Sequence, residues 1–195
     1  AVEIFERKGK ICVVSGSRDR TIKVWNIQIG ENRKAAACTL QNTWEGHTKP
    51  VVALSHFVAS HDCIVSASND KTLRLWKISG THEAIVLKGH EKAVSCVQVG
   101  KVCKSNGNND WVIFSGSSDK TVRVWALDTG SCLHVIKPFK KAVIKLSVPR
   151  KASTKAACLA LSSDGRLSLI DLTQLKVVSD DLVGKENKQI LNGAT

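Results

Sequence analysis

Ser66-Ala67-Ser68-Asn69-Asp70-Lys71-Thr72-Leu73-Arg74-Leu75-Trp76 runs from a β-rich segment through a tight polar turn into an alternating segment. The same pattern stands earlier as Ser15-Gly16-Ser17-Arg18-Asp19-Arg20-Thr21-Ile22-Lys23-Val24-Trp25. It stands again later as Ser115-Gly116-Ser117-Ser118-Asp119-Lys120-Thr121-Val122-Arg123-Val124-Trp125. A fourth, decayed copy, Leu161 to Asp171, keeps Asp164 but carries Ile170 in place of the tryptophan. The aspartates at 19, 70, 119 and 164 are therefore 51, 49 and 45 residues apart. Such a period marks stacked supersecondary units, none of which can bury its apolar face alone.

Around each copy the signals are those of strands. Cys12–Ser17, Cys63–Ser68 and Val112–Ser117 are short β-rich runs, and Thr21–Trp25, Thr72–Trp76 and Thr121–Trp125 alternate with period two. Strand candidates precede the copies at Val51–Phe57, Val94–Val102 and Val143–Val148, the last stopped by Pro149. Others follow at Ala37–Leu40, Ala84–Leu87 and Cys132–Ile136. No segment carries a capped helical stripe. Four antiparallel strands per unit, repeated, predict an all-β propeller.

The pattern resembles the WD40 repeat family. Gly46-His47 and Gly89-His90 match that family's Gly-His pair, and Trp25, Trp76 and Trp125 match the tryptophan ending its third strand. The departures are that Trp-Asp reads Trp-Asn, Trp-Lys and Trp-Ala, and that Pro138-Phe139 stands where a third Gly-His is expected. The resemblance implies a WD40 β-propeller with about four blades here, as part of a seven-bladed ring. Blades are expected over roughly 1–44, 45–88, 89–139 and 140–184, with 185–195 a tail or linker. It also implies a hydrogen-bonded tetrad in each well-formed blade: His47, Ser66, Asp70 and Trp76, then His90, Ser115, Asp119 and Trp125. The first blade has Ser15, Asp19 and Trp25, without its histidine. Both serines of each Ser-x-Ser pair lie on one face of their strand, so the residues leave open which one takes part.

Serine, histidine and aspartate together invite a nucleophilic reading. Their recurrence from unit to unit points instead to a polar network locking each blade. No phosphate-binding glycine loop or nucleophile elbow occurs. His56 and His61 lie near Asp62, but none of His56, His61, His82 and His134 falls into metal-ligand spacing. No catalytic residue, cofactor or metal is expected. The Trp-Asp-x-Arg signature by which some WD40 proteins dock on a cullin ligase is missing from Trp25-Asn26-Ile27-Gln28, Trp76-Lys77-Ile78-Ser79 and Trp125-Ala126-Leu127-Asp128.

The 195 residues are 43% hydrophobic, which is a globular composition. No apolar run is long enough for a transmembrane helix, and the N-terminus lacks a signal peptide's apolar region. There is no methionine, even at position 1, so the natural chain is expected to hold further blades or domains. Seven cysteines without a CxxC pair read as reduced thiols, which suggests the cytoplasm or nucleus. The 29 basic residues against 17 acidic ones give +12. Between Asp128 and Asp164 there is no acidic residue, while Lys137, Lys140, Lys141, Lys145, Arg150, Lys151 and Lys155 fall in that gap. This run is the candidate contact for an anionic partner. Lys104–Asp110 is expected to be a polar loop.

The function expected is a non-enzymatic scaffold offering propeller faces to proteins or peptides in a larger assembly. Two alternatives stand beside it. One is a basic module contacting RNA, a ribonucleoprotein or a phosphoinositide membrane. The other is the regulatory propeller of a larger enzyme.

Overall fold

The computed structural model describes residues 1–7, 9–29, 36–58, 62–78, 84–103, 109–137, 139–148, 157–172, 174 and 176–180. Among them are sixteen strands and no helix. Sheet 1 holds β1 (Val2–Arg7), β2 (Lys10–Gly16), β3 (Ile22–Ile29) and β4 (Ala36–Trp44). Sheet 2 holds β5 (Val51–Val58), β6 (Asp62–Ser68), β7 (Leu73–Lys77) and β8 (Ile85–Leu87). Sheet 3 holds β9 (Val94–Cys103), β10 (Asn109–Ser117), β11 (Val122–Ala126) and β12 (Cys132–Ile136). Sheet 4 holds β13 (Val143–Ser147), β14 (Ala157–Ser162), β15 (Leu167–Asp171) and β16 (Lys176–Asp180). Each is an antiparallel meander in chain order. The tail 185–195 expected from the sequence lies outside the described residues.

The turn between the second and third strands of each sheet explains the repeated motif. In sheet 2, Ser68 N–H donates to the Thr72 carbonyl at 3.2 Å and Lys71 N–H to the Ser68 carbonyl at 3.3 Å. Closing the hairpin puts Lys71 in the left-handed region at φ 74°. Arg20 (φ 76°) and Lys120 (φ 68°) hold the same place in sheets 1 and 3, and Gly165 (φ 83°) holds it in sheet 4. A bulge then falls at the tryptophan position where the third strand meets the fourth, between Val24 and Trp25 and between Val124 and Trp125. Sheet 4 keeps that bulge at Leu169/Ile170, although its tryptophan is gone.

The chain divides into two compact units, Ala1–Val97 and Gln98–Thr195, with the division inside β9. In the first unit, sheets 1 and 2 bury one core built of Val14, Ile22, Val24, Trp44, Val51, Leu54, Ile64, Trp76 and Ile78. Alternation along β2 directs Cys12, Val14 and Gly16 into it and leaves Ile11, Val13 and Ser15 half-buried on the other face. Trp44, ending β4, lies parallel to Trp76 of β7, with ring centroids 5.3 Å apart. At the other end of these strands Arg7 Nε donates to Asp62 Oδ2 at 2.8 Å, and Phe5 stacks on His56 with centroids 3.5 Å apart.

Candidate functional site

Sheet 2 brings its four candidate polar residues into one chain of hydrogen bonds. Trp76 Nε1 donates to Ser66 Oγ at 2.8 Å. Ser66 Oγ lies 2.8 Å from His47 Nε2, and His47 Nδ1 lies 2.7 Å from Asp70 Oδ2. One proton arrangement satisfies every member. Ser66 O–H donates to Nε2 of a neutral His47 protonated at Nδ1, which in turn donates to the carboxylate. The elements that set this geometry are the β6 and β7 strands, the turn between them and the loop from β4 to β5.

Burial makes the neutral histidine the favoured form. Desolvation pushes the His47 pKa below its ordinary value, outweighing the hydrogen bond to Asp70 and the Asp70 charge, which pull it upward. Burial alone would raise the Asp70 carboxyl. Hydrogen bonds from the Thr72 hydroxyl, His47 and the Thr48 and Thr72 amides outweigh it and hold that pKa at about 2. The network thus contains one ionised group, a carboxylate, with its charge spread over donors.

The open choice within the Ser-x-Ser pair is resolved by position. Ser66 serves the tetrad, while Ser68 serves the turn: its hydroxyl accepts from Asp70 N–H at 3.1 Å and donates to the Lys49 carbonyl at 3.0 Å. The threonine two residues beyond the aspartate also takes part. Thr72 Oγ1 donates to Asp70 Oδ1 at 2.6 Å, as Thr21 does to Asp19 at 2.7 Å and Thr121 to Asp119 at 2.6 Å. Its regular place in the three copies was the available signal.

The other copies hold parts of the same arrangement. Trp125 Nε1 donates to Ser115 Oγ at 2.8 Å, and His90 is buried. Trp25 Nε1 donates to Ser15 Oγ at 3.2 Å, while Asp19 is exposed, its pKa lowered chiefly by the Thr21 hydroxyl. In sheet 4 the tetrad positions are Ala160 and Ile170, both fully buried, so donor and acceptor are lost together. Its turn survives, with Ser162 Oγ donating to Asp164 Oδ1 at 2.7 Å.

Gly46 of the Gly-His pair has a steric reason of its own. It adopts φ 146°, and a Cβ there would run into the Arg74 guanidinium. That guanidinium is held over Trp76, 5.9 Å from the ring centroid. This packing was not foreseen from the sequence.

Of the basic run, Lys137, Lys140, Lys141 and Lys145 are exposed on the β12–β13 connection and on β13. The Ala142 carbonyl accepts from Ser163 N–H at 2.8 Å, which sets Lys140 and Lys141 beside the Asp164 turn. Arg150, Lys151 and Lys155 lie outside the described residues, as do His61, His82 and most of the Lys104–Asp110 segment. His56 Nε2 stands 3.6 Å from Asp62 Oδ1. Among the described residues no group of three or more His, Cys, Asp or Glu side chains is arranged to hold a metal ion.

Repeated four-stranded meanders, each closed by one turn type, three of them with a tryptophan of the third strand bonded to a serine of the second, define a blade-built repeat protein of the propeller class. The family described as WD domain, G-beta repeat matches residues 4–26, 38–77 and 82–126, and the chain belongs to this WD40 family. The chain is 35% identical over 88 residues to nuclear distribution protein PAC1 of Gibberella zeae, covering 44% of this chain and 17% of that protein. It is 33% identical over 88 residues to nuclear distribution protein nudF of Aspergillus flavus, covering 44% and 18%. It is 34% identical over 101 residues to ribosome biogenesis protein YTM1 of Eremothecium gossypii, covering 45% and 20%. The chain thus spans about a fifth or less of the length of these relatives.

Proposed function

We propose that the chain is part of a non-enzymatic interaction scaffold that presents its loops and turns to protein or peptide partners in a larger assembly. One observation carries this reading. The side chains that could serve chemistry, Ser66, His47 and Asp70, hydrogen-bond one another at 2.7 and 2.8 Å, and the serine and histidine are buried. A nucleophile needs a free path to substrate, and here the imidazole is spent on the carboxylate and the hydroxyl within its own sheet. Relatives named for nuclear distribution and ribosome biogenesis support a role inside the cell, in the cytoplasm or nucleus. No helix among the described residues is long and apolar enough to cross a membrane.

Cross-linking mass spectrometry on the full native protein in extract tests this. Partner cross-links are expected to concentrate on lysines of the loops and turns, such as Lys49, Lys71, Lys120, Lys140 and Lys141. Absence of any protein partner, or a measurable turnover lost on Ser66→Ala in a folded variant, overturns it.

A second reading is supported by the four exposed lysines at 137, 140, 141 and 145. It is contact with RNA phosphates or an anionic phosphoinositide surface. Binding of that kind weakens steeply with salt. A titration against single-stranded RNA and phosphoinositide vesicles at two salt concentrations decides it, and flat salt dependence counts against it.

A further inference from the structure

The end of the first unit that carries the tight turns holds cations where the backbone would favour glycine. Arg20 and Lys71 sit at φ 76° and 74°, a region costly for a side chain bearing Cβ, and the equivalent residue of sheet 4 is Gly165. The hairpins close through backbone, serine, aspartate and threonine; Arg20 Nε adds only a 3.4 Å bond to the Asp19 carbonyl, so the closure itself does not require a long basic side chain. Both residues are exposed, as are Arg18 beside them and Lys49 on the β4–β5 loop.

These four cations stand on one contiguous, locked surface. Val51 N–H donates to the Ser17 carbonyl at 3.0 Å, tying the sheet 1 turn to the start of β5. Asn69 N–H donates to the Pro50 carbonyl at 3.1 Å, and Thr48 N–H to Asp70 Oδ2 at 3.0 Å, tying the sheet 2 turn to the same loop. The carboxylates at the turns are hydrogen-bonded within them: Asp19, itself exposed, to Thr21, and the largely buried Asp70 to His47, Thr48 and Thr72. Glu45 is exposed at the head of the loop. Within the described residues none of Arg18, Arg20, Lys49 and Lys71 forms an ion pair.

We infer that this end of the first unit docks an acidic peptide segment, with Arg18, Arg20, Lys49 and Lys71 meeting its carboxylates or phosphorylated side chains. The inference rests on the scaffold reading above and names its partner's chemistry. Cations carried on braced loops spare the backbone an ordering cost on binding, which favours an extended acidic chain. Of the three tryptophans of this unit, Trp44 and Trp76 are buried in the core and Trp25 is half-buried within β3, bonded to Ser15, so no exposed ring at these turns offers a platform for stacking bases. Of the exposed apolar residues of the unit, Ile4, Leu40 and Val58 lie away from these turns, and only Val2, opposite Ser15, and Val52, beside Val51, border them, which is too little apolar surface to enter a bilayer.

The test is fluorescence anisotropy of a short labelled peptide of alternating glutamate and serine, titrated with the full chain at physiological salt. Arg20→Gly and Lys71→Gly remove a cation and relieve the left-handed strain together. Each is expected to raise the melting temperature slightly while weakening binding, and the two combined with Arg18→Ser and Lys49→Ser to weaken it by about tenfold or more. Lys77→Ser, at the other end of β7, removes one charge, as each single variant does, and is expected to alter binding by less than about twofold, against a larger loss for Arg20→Gly or Lys71→Gly. Equal weakening by Lys77→Ser means bulk charge and overturns the inference. So does tighter binding of a single-stranded RNA or of phosphatidylserine vesicles through the same four residues. Peptide binding lost with partner cross-links intact sinks this inference alone, whereas absence of all cross-links sinks the scaffold reading beneath it.

Discussion

His47 and Asp70 are bonded to each other, yet acid acts on them in two separate windows. His47 is depressed below its usual 6.5 by burial, so the unfolded chain takes up its proton first. Its contribution is whole above about 6.5 and is lost as pH falls through the lower folded value. Asp70 falls from 3.8 to about 2, so its contribution is whole above 3.8 and is lost as pH drops toward 2. That second loss is on the order of 2 kcal/mol. Urea midpoints measured from pH 7 downward are expected to fall in the wild type below 6.5. His47→Gln should be less stable at pH 7 and flatter as pH falls below about 6.5. Parallel profiles for the two proteins would show that His47 is not the titrating group. Gly46 gives a second prediction at this scale. Gly46→Ala should destabilise by roughly 1–3 kcal/mol through overpacking against Arg74 and through its backbone angle. Arg74→Ala in the same chain should recover the steric part. Strict additivity in a double-mutant cycle would count against the contact.

At the scale of strands and turns, sheets 2 and 4 compare a complete network with a deleted one. Ser66→Ala alone would leave Trp76 Nε1 and His47 Nε2 buried without the shared hydroxyl, at a cost of about 1–3 kcal/mol. Sheet 4 shows how that cost is avoided, since Ala160 and Ile170 replace acceptor and donor together while the Leu169/Ile170 bulge stays. Ser66→Ala with Trp76→Phe should therefore cost less than the sum of the single changes by about 1 kcal/mol, measured by chemical unfolding. Additive losses would mean that Ser66 and Trp76 are not coupled. The turns and central strands were legible in the sequence because one pattern repeats with serine, aspartate, threonine and tryptophan at fixed offsets. The edge strands were less so. β1 was not singled out, because Glu3, Glu6 and Arg7 interrupt its apolar residues; Arg7 is there to reach Asp62 of sheet 2. β4 was read only as far as Leu40, since Gln41, Asn42 and Thr43 are polar, although pairing with β3 carries the strand to Trp44. Gly46 against Arg74 was illegible for another reason. It joins residues distant in sequence, and neither alone announces the other.

Among the described residues of the whole chain, each of the four sheets encloses one buried thiol: Cys12 on β2, Cys63 on β6, Cys96 on β9 and Cys158 on β14. Cys38 and Cys132 are exposed. Burial raises the pKa of Cys12 and of Cys63, so both are un-ionised at neutral pH and react only when their sheet opens. Site-resolved alkylation under native conditions thus reads the opening of each sheet separately. Cys38 and Cys132 are expected to label at once. In a repeat protein the remaining rates follow the stability of each unit and of its contacts with its neighbours. Sheet 2 has the tetrad joining β6, β7 and the turn between them to the β4–β5 loop, whereas sheet 4 has apolar replacements and central strands of five and six residues. Cys158 should label faster than Cys63 by about tenfold, the equivalent of roughly 1.4 kcal/mol in opening free energy. Ser66→Ala should narrow that gap by speeding Cys63 alone. A single common rate for all four buried thiols would mean that the sheets open together, so that the networks stabilise the chain as one cooperative body rather than blade by blade.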